Sequence, residues 1–308
     1  MVRGVSSPGK GSLPARAGRL GGWVRAPERE PVAVLACLAG GTCTTAYFDL
    51  RVPGLPGYSM AEHLVGLGFA VVALDHLGLG ASDEVDDLYA VTPTVAAAAQ
   101  ADALGALLAR FEGVPAIGVG HSMGGMLLTV LQADHAAFDA VAVLGHGGDG
   151  LPEVLTADES AVAVDRAYAE IEPDIEALAR VRFGPDSPVL RKRPTKGPFL
   201  LPDVPDAVRE AFVAQQVSNL FTCGLTSMIP GATDGPKAAI DVPVFLAFGD
   251  HDLTDDYEGA RAKYTAATEV ELFVLPGSGH CHNQASTRVQ LWDRLAGWAE
   301  QVARVSVR

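Results

Sequence analysis

The sequence predicts an α/β protein, a mostly parallel sheet covered by helices. Short apolar, β-branched runs alternate with longer segments rich in Ala and Leu, the rhythm of strand and crossover helix. The short runs are apolar along almost their whole length rather than at every second residue, as expected of strands buried on both faces. A chain of 308 residues that is 48% apolar can also bury one large core.

In chain order, Met1 to Arg19 is basic and glycine-bearing without an apolar core region, so it reads as a loose tail or an early edge hairpin rather than a signal peptide or anchor. Strands are expected at Val32–Leu38, Ala70–Leu74, Ala116–Val119, Ala140–Leu144, Val242–Phe248 and Val270–Leu275. Helices are expected at Met60–Leu67, Val95–Phe111, Met123–Asp134, Tyr257–Ala267 and Ala285–Val302. The stretch from Gly147 to Asp241 breaks the rhythm: it has helix-like pieces at Ser160–Arg182 and Asp206–Leu220 and proline-bearing joints at Lys192-Arg193-Pro194 and Leu201-Pro202-Asp203. A structureless loop of that length is rare in a compact domain, so the reading is core (1–146), helical cap insertion (147–241), core (242–308). Such a cap would exclude water and shape a substrate pocket.

Acidic residues outnumber basic ones, 37 to 23, for a formal charge of -14, which argues for solubility and against nucleic acid or an anionic membrane as partner. Cys37, Cys43, Cys223 and Cys281 lack metal-ligand spacing and fit reduced thiols in a cytoplasm. No run is long and apolar enough to span a membrane. Neither a metal nor an organic cofactor is called for; the expected partner is a small-molecule substrate, and the oligomeric state is left open.

The chemistry starts at Gly118-Val119-Gly120-His121-Ser122-Met123-Gly124, a G-x-S-x-G string between a predicted strand and a predicted helix. A strand-to-helix turn this sharp exposes a serine hydroxyl and leaves no room for side chains at the flanking glycines. The competing reading is a glycine-rich turn in which Ser122 is a helix N-cap. Downstream, Gly249-Asp250-His251-Asp252 ends one strand and Gly277-Ser278-Gly279-His280-Cys281-His282 follows the next, the end of an open α/β sheet where ligands gather. Asp250, Asp252 and Asp149 are candidate acids, and His280, His282 and His146 candidate bases. His121 and His76 read as scaffold, the latter inside Asp75-His76-Leu77-Gly78-Leu79-Gly80-Ala81-Ser82.

Taken together, G-H-S-M-G, G-D-H-D, the G-S-G-H string and the Asp75–Ser82 segment resemble the α/β-hydrolase superfamily from about Gly18 to the C-terminus, apart from the cap. The resemblance implies an eight-stranded type of sheet, Ser122 as nucleophile, Asp252 at the fourth place of G-x-x-D as acid, and His280 as base; some members take their acid from the position of Asp149. His280 would accept the serine proton and return it to the leaving group while Asp252 fixes the imidazole. Oxyanion donors are expected from the backbone of Met123 and of Gly41 or Thr42. That loop usually begins His-Gly, whereas here it begins Ala39-Gly40, so its anchor is missing. Tyr47 and Cys43 could face the pocket or pack, and Leu220, Phe221 and Met228 could line it or belong to the core.

A serine at the elbow sets aside the dehalogenases and epoxide hydrolases of this superfamily, which use aspartate there. The implied activity is hydrolysis of a small to medium, fairly apolar ester or lactone through an acyl-serine intermediate. Carbon-carbon bond hydrolysis of diketones with the same triad, and small-molecule reception without catalysis, are the alternatives.

Overall fold

The computed structural model describes residues 18–163, 166–184 and 197–306; the Lys192-Arg193-Pro194 joint and the basic stretch before Gly18 lie outside them. Seven strands pair in the order β1-β3-β2-β4-β5-β6-β7. These are β1 (Gly22–Arg25), β2 (Val34–Leu38), β3 (Ala70–Leu74), β4 (Ala116–His121), β5 (Ala140–Leu144), β6 (Val244–His251) and β7 (Val270–Gly279). All pairs are parallel except β1 with β3. The count among the described residues is therefore seven, against the eight that the resemblance implies. Six of them sit at the expected places, and β1 was missed because its Gly-Trp-Val-Arg is four residues of half-buried edge with neither an apolar run nor alternation.

The central strands β2, β3 and β5 are buried at every position, as their unbroken apolar runs require. Alternate side chains feed two cores. Leu35 and Cys37 of β2 face a layer with α1 (Met60–Leu67) and α10 (Arg288–Ser306), where Leu64, Trp292 and Leu295 are buried. Val34, Ala36 and Leu38 face α2 (Pro93–Leu108), α3 (Met123–His135) and α9 (Tyr257–Ala262), with Leu104, Leu127 and Tyr264. Helix ends follow the local chemistry: Ser59 caps α1 through the Glu62 N–H, Thr92 caps α2 with Pro93 behind it, and Gly68 closes α1 at φ 101°. The Tyr257–Ala267 expectation overshoots, since the chain leaves the helix after Ala262.

Between β5 and β6 lie α4 (Ala157–Ala161), α5 (Tyr168–Phe183), α6 (Asp206–Ala214), α7 (Phe221–Met228) and α8 (Asp234–Ala239). The expected single helix at Ser160–Arg182 is thus two. Ile171 and Ile175 of α5 and Phe221 and Leu225 of α7 share a third apolar cluster that stands apart from the two sheet layers. Among the described residues no helix is long and apolar enough to cross a membrane.

Candidate active site

Ser122 sits where β4 stops and α3 begins, with φ 56° and ψ -123°, a conformation that L-residues avoid. The chain holds it there from both sides: Ser122 N–H donates to the Leu144 carbonyl at 2.8 Å, and Met126 N–H donates to the Ser122 carbonyl at 3.0 Å. The flanking glycines are obligatory. A Cβ on Gly120 would lie 2.4 Å from the Gly124 carbonyl oxygen, and one on Gly124 would lie 2.2 Å from that of Leu38. Ser122 makes no side-chain cap bond to α3, so the N-cap reading of the serine does not hold. Its hydroxyl turns instead to His280, with Oγ 2.8 Å from Nε2.

His280 is delivered by the loop after β7. Its N–H donates to the Pro198 carbonyl at 2.6 Å and that of Cys281 to Phe199 at 3.0 Å, which fixes the ring's backbone. The ring's other nitrogen, Nδ1, lies 2.6 Å from Asp252 Oδ1. Asp252 follows the end of β6, past an irregularity in the β6–β7 register. It also accepts N–H bonds from Leu253 at 2.7 Å and Gly249 at 3.0 Å, and His282 Nε2 is 2.7 Å from its Oδ2. Burial alone would raise this carboxyl. The charge and hydrogen bond of His280, with those of His282, outweigh that and hold it well below the usual carboxylate range.

The rival candidates are engaged elsewhere. Asp250 accepts the Gly277 and Ser278 N–H groups at 2.9 and 3.0 Å, tying the end of β7 to β6. Asp149 accepts from Thr254 Oγ1 at 2.8 Å and pairs with Lys263 at 3.2 Å. The His146 imidazole is pushed far down by burial and by the charges of Lys237, Lys263 and His280, and its Nε2 faces Thr233 Oγ1 at 3.4 Å rather than Ser122. His282 belongs to Asp252, not to the serine. His121 lies beneath the elbow, its Nε2 on the His280 carbonyl at 2.7 Å and its ring stacked on Tyr47 at 4.4 Å.

Met123 opens α3, so its N–H is one that the helix itself does not use. Met123, Gly41 and Thr42 all border the same cavity as Ser122 and His280. The anchor missing from Ala39-Gly40 comes from another loop: His76 Nε2 reaches the Ala39 carbonyl at 2.8 Å, while Gln100 Nε2 approaches His76 Nδ1 at 3.4 Å. If the Gln100 amide donates, the His76 proton is on Nε2 and donates to Ala39. Sequence reasoning treated His76 as scaffold without finding this contact, because it joins the ends of β2 and β3, which become neighbours only once the sheet is ordered.

The cavity measures about 300 Å³. Away from the serine it is walled by Leu151, Phe183, Phe199, Phe221, Met228 and Leu253, drawn mainly from the segment between β5 and β6. Phe199 presents its edge to His280, with centroids 5.5 Å apart. Of the residues considered for the pocket, Phe221 and Met228 line it, Leu220 is buried in the sheet core, and Tyr47 and Cys43 pack against the opposite layer. All four cysteines are buried. Among the described residues no group of three or more His, Cys, Asp or Glu side chains is arranged to hold a metal ion.

A family model described as "Alpha/beta hydrolase family" matches residues 35–291. The fold is similar to that of a proline iminopeptidase from Mycobacterium smegmatis, at 17% identity over 99% of each chain and a TM-score of 0.63. It is similar as well to a thermostable carboxyl esterase from Bacillus coagulans, at 17% identity over 98% of each chain and a TM-score of 0.64. An esterase from Exiguobacterium antarcticum matches at 14% identity over 97% of this chain and 100% of its own, with a TM-score of 0.63. At these identities the likeness is one of fold. No curated protein sequence matches the chain.

Proposed function

The chain belongs to the alpha/beta hydrolase family, and on that premise we propose that it is a serine hydrolase acting on a small to medium, fairly apolar carboxylic ester or lactone. The observation that carries this reading is the unbroken chain Ser122 Oγ, His280, Asp252, with links of 2.8 and 2.6 Å, opening into an apolar cavity. A serine hydroxyl is a weak nucleophile at neutral pH. His280 Nε2 takes its proton as Oγ attacks the acyl carbon, and Asp252 orients the ring and stabilises the imidazolium.

The tetrahedral oxyanion is met by the Met123 N–H and a donor from Gly41 or Thr42. His280 then gives its proton to the leaving alkoxide, and the acyl group stays on Ser122. Water, deprotonated by His280, resolves the ester and returns the hydroxyl. The aromatic and aliphatic walls favour an uncharged acyl or ring portion: the nearby Asp149 carboxylate disfavours an anion, and Lys263 is already paired with it.

The test is turnover of nitrophenyl esters of graded acyl length, with burst detection of the acyl enzyme, on the wild type and on Ser122→Ala, His280→Ala and Asp252→Asn. Loss of the burst and of turnover with Ser122→Ala is the expected result. A folded wild type that turns over no ester or lactone, or activity indifferent to Ser122, overturns the proposal.

A further inference from the structure

Asp252 has more partners than the link to His280 needs. Its two oxygens take His280 Nδ1 at 2.6 Å, Leu253 N–H at 2.7 Å, His282 Nε2 at 2.7 Å and Gly249 N–H at 3.0 Å. An ionised carboxylate offers about four acceptor sites, so this one is saturated. Its side chain and those of both histidines are each only 1% exposed. Water therefore does not substitute for any partner that is removed.

His282 is built into this position. It opens a one-turn 3-10 helix (His282–Gln284), and its N–H donates to the His280 carbonyl at 3.1 Å. The next residue is pinned on both sides: Asn283 Nδ2 donates to the Tyr47 carbonyl at 3.2 Å, and its Oδ1 accepts from Trp292 Nε1 at 2.8 Å. The titratable groups around the His282 ring are Asp252 after β6, His280 on its own loop, and His121 at the end of β4, whose ring stands edge-on at 5.4 Å. Gly145, after β5, presents backbone to it; a Cβ there would come within 3.3 Å of the ring.

His282 Nδ1 is buried and, among the described residues, has no hydrogen-bond partner. A proton on that nitrogen would be a buried donor without an acceptor, so the ring carries its proton on Nε2 and donates it to Asp252.

We propose that His282 is a positioning residue for the acid of the triad, an inference that rests on the reading of Ser122, His280 and Asp252 as that triad. Its Nε2–H binds Oδ2 and leaves Oδ1 aimed at His280 Nδ1. By drawing charge toward Oδ2, it also tempers how strongly Asp252 raises the basicity of His280. Without the donor, Oδ2 keeps only the Gly249 N–H in a dry site, and the carboxylate's charge falls more fully on His280.

The experiment compares His282→Leu, which removes the donor, with His282→Gln, which returns an N–H near the Nε2 position. The wild type is expected to give two downfield imidazole N–H proton resonances, for His280 Nδ1–H and His282 Nε2–H; this readout needs no substrate. His282→Leu should lose one and displace the other, lower kcat about 10- to 100-fold with KM little changed, and move the acid limb of kcat/KM to higher pH. That range is taken by analogy with the loss of outer-shell partners at metal sites. His282→Gln should recover part of kcat and return the limb. If neither the His280 resonance nor the limb moves in a folded variant, or if Gln behaves as Leu does, the positioning role is overturned. Should the ester reading itself fail, the wild type would turn over no ester or lactone, or its activity would not depend on Ser122, while the two resonances still report on His282.

Discussion

Lys237 of α8 is fully buried beside the glycine loop that forms one wall of the cavity, and its removal should make the protein more stable. Nζ donates to the Gly147 carbonyl at 3.2 Å and stands 3.7 Å from Asp234. A Cβ on Gly148 would lie 1.9 Å from it, so the ammonium lies hard against the loop backbone. Burial, reinforced by the charge of Lys263, lowers this ammonium from 10.5 to about 7 against the opposing pull of Asp234 and Asp149. Between those values the unfolded chain holds a proton that the folded one does not, so stability climbs with pH across that window and the penalty is fully present below it. At about 1.4 kcal/mol per pH unit, the whole shift is worth about 5 kcal/mol at most.

Lys237→Met removes this term and leaves the Gly147 carbonyl without its donor, a loss of about 1–3 kcal/mol. The variant should then be more stable than the wild type by about 2–4 kcal/mol at pH 7. That advantage should shrink by about 1.4 kcal/mol for each pH unit toward 10. Urea unfolding followed by circular dichroism at pH 6.5, 8 and 9.5 measures the difference directly. A difference that stays constant across that range would mean that Lys237 keeps its ordinary proton affinity, and the reasoning would be wrong.

Three further outcomes are expected. Gly124→Ala brings a Cβ to 2.2 Å from the Leu38 carbonyl oxygen and 2.5 Å from that of Ala39, where only backbone can yield; thermal unfolding should register a loss of about 1–3 kcal/mol or more, and an unchanged Tm counts against the packing argument. Asp252→Asn should lower kcat by about 10³- to 10⁴-fold. Because the folded-state carboxyl is depressed, its stabilising contribution is present above the unfolded value near ~4 and lost as pH falls through the folded one, so the stability gap between wild type and variant should close on acidification. His76→Leu removes the hold on the Ala39 carbonyl and should reduce kcat on the order of tenfold with folding retained, within the roughly 10²-fold that misplaced geometry can cost. Steady-state kinetics beside a melting curve separates that from global damage.

What could be read from the sequence and what could not divide along a physical line. Ser122 was legible because its strained backbone is written into its neighbours: Gly120 and Gly124 are glycines since any Cβ would strike a carbonyl within the same turn or the adjoining strand end. Asp252 and His280 were legible for a similar reason, each standing in a short string at the end of a largely apolar strand. The edge strand β1 was not, because four half-buried residues carry no periodicity of their own and are strand only by pairing with β3.

The same limit applies to the supporting contacts of the site. His76 with Ala39 and Lys237 with Gly147 join residues whose proximity is decided by strand order and by the helices between β5 and β6. No local pattern encodes either contact. His282 is the intermediate case: its spacing from His280 is visible in the chain, yet the spacing alone fits a second base as well as a second donor. Only the bulged end of β6, which is followed by the Asp252 carboxylate between the two rings, assigns it to Asp252. Local strings therefore announce the groups that would react, whereas the groups that hold them become legible only when the sheet's order is known. Substitutions at His76, Lys237 and His282 consequently test the fold's contribution to the site more sharply than substitutions of Ser122, His280 and Asp252.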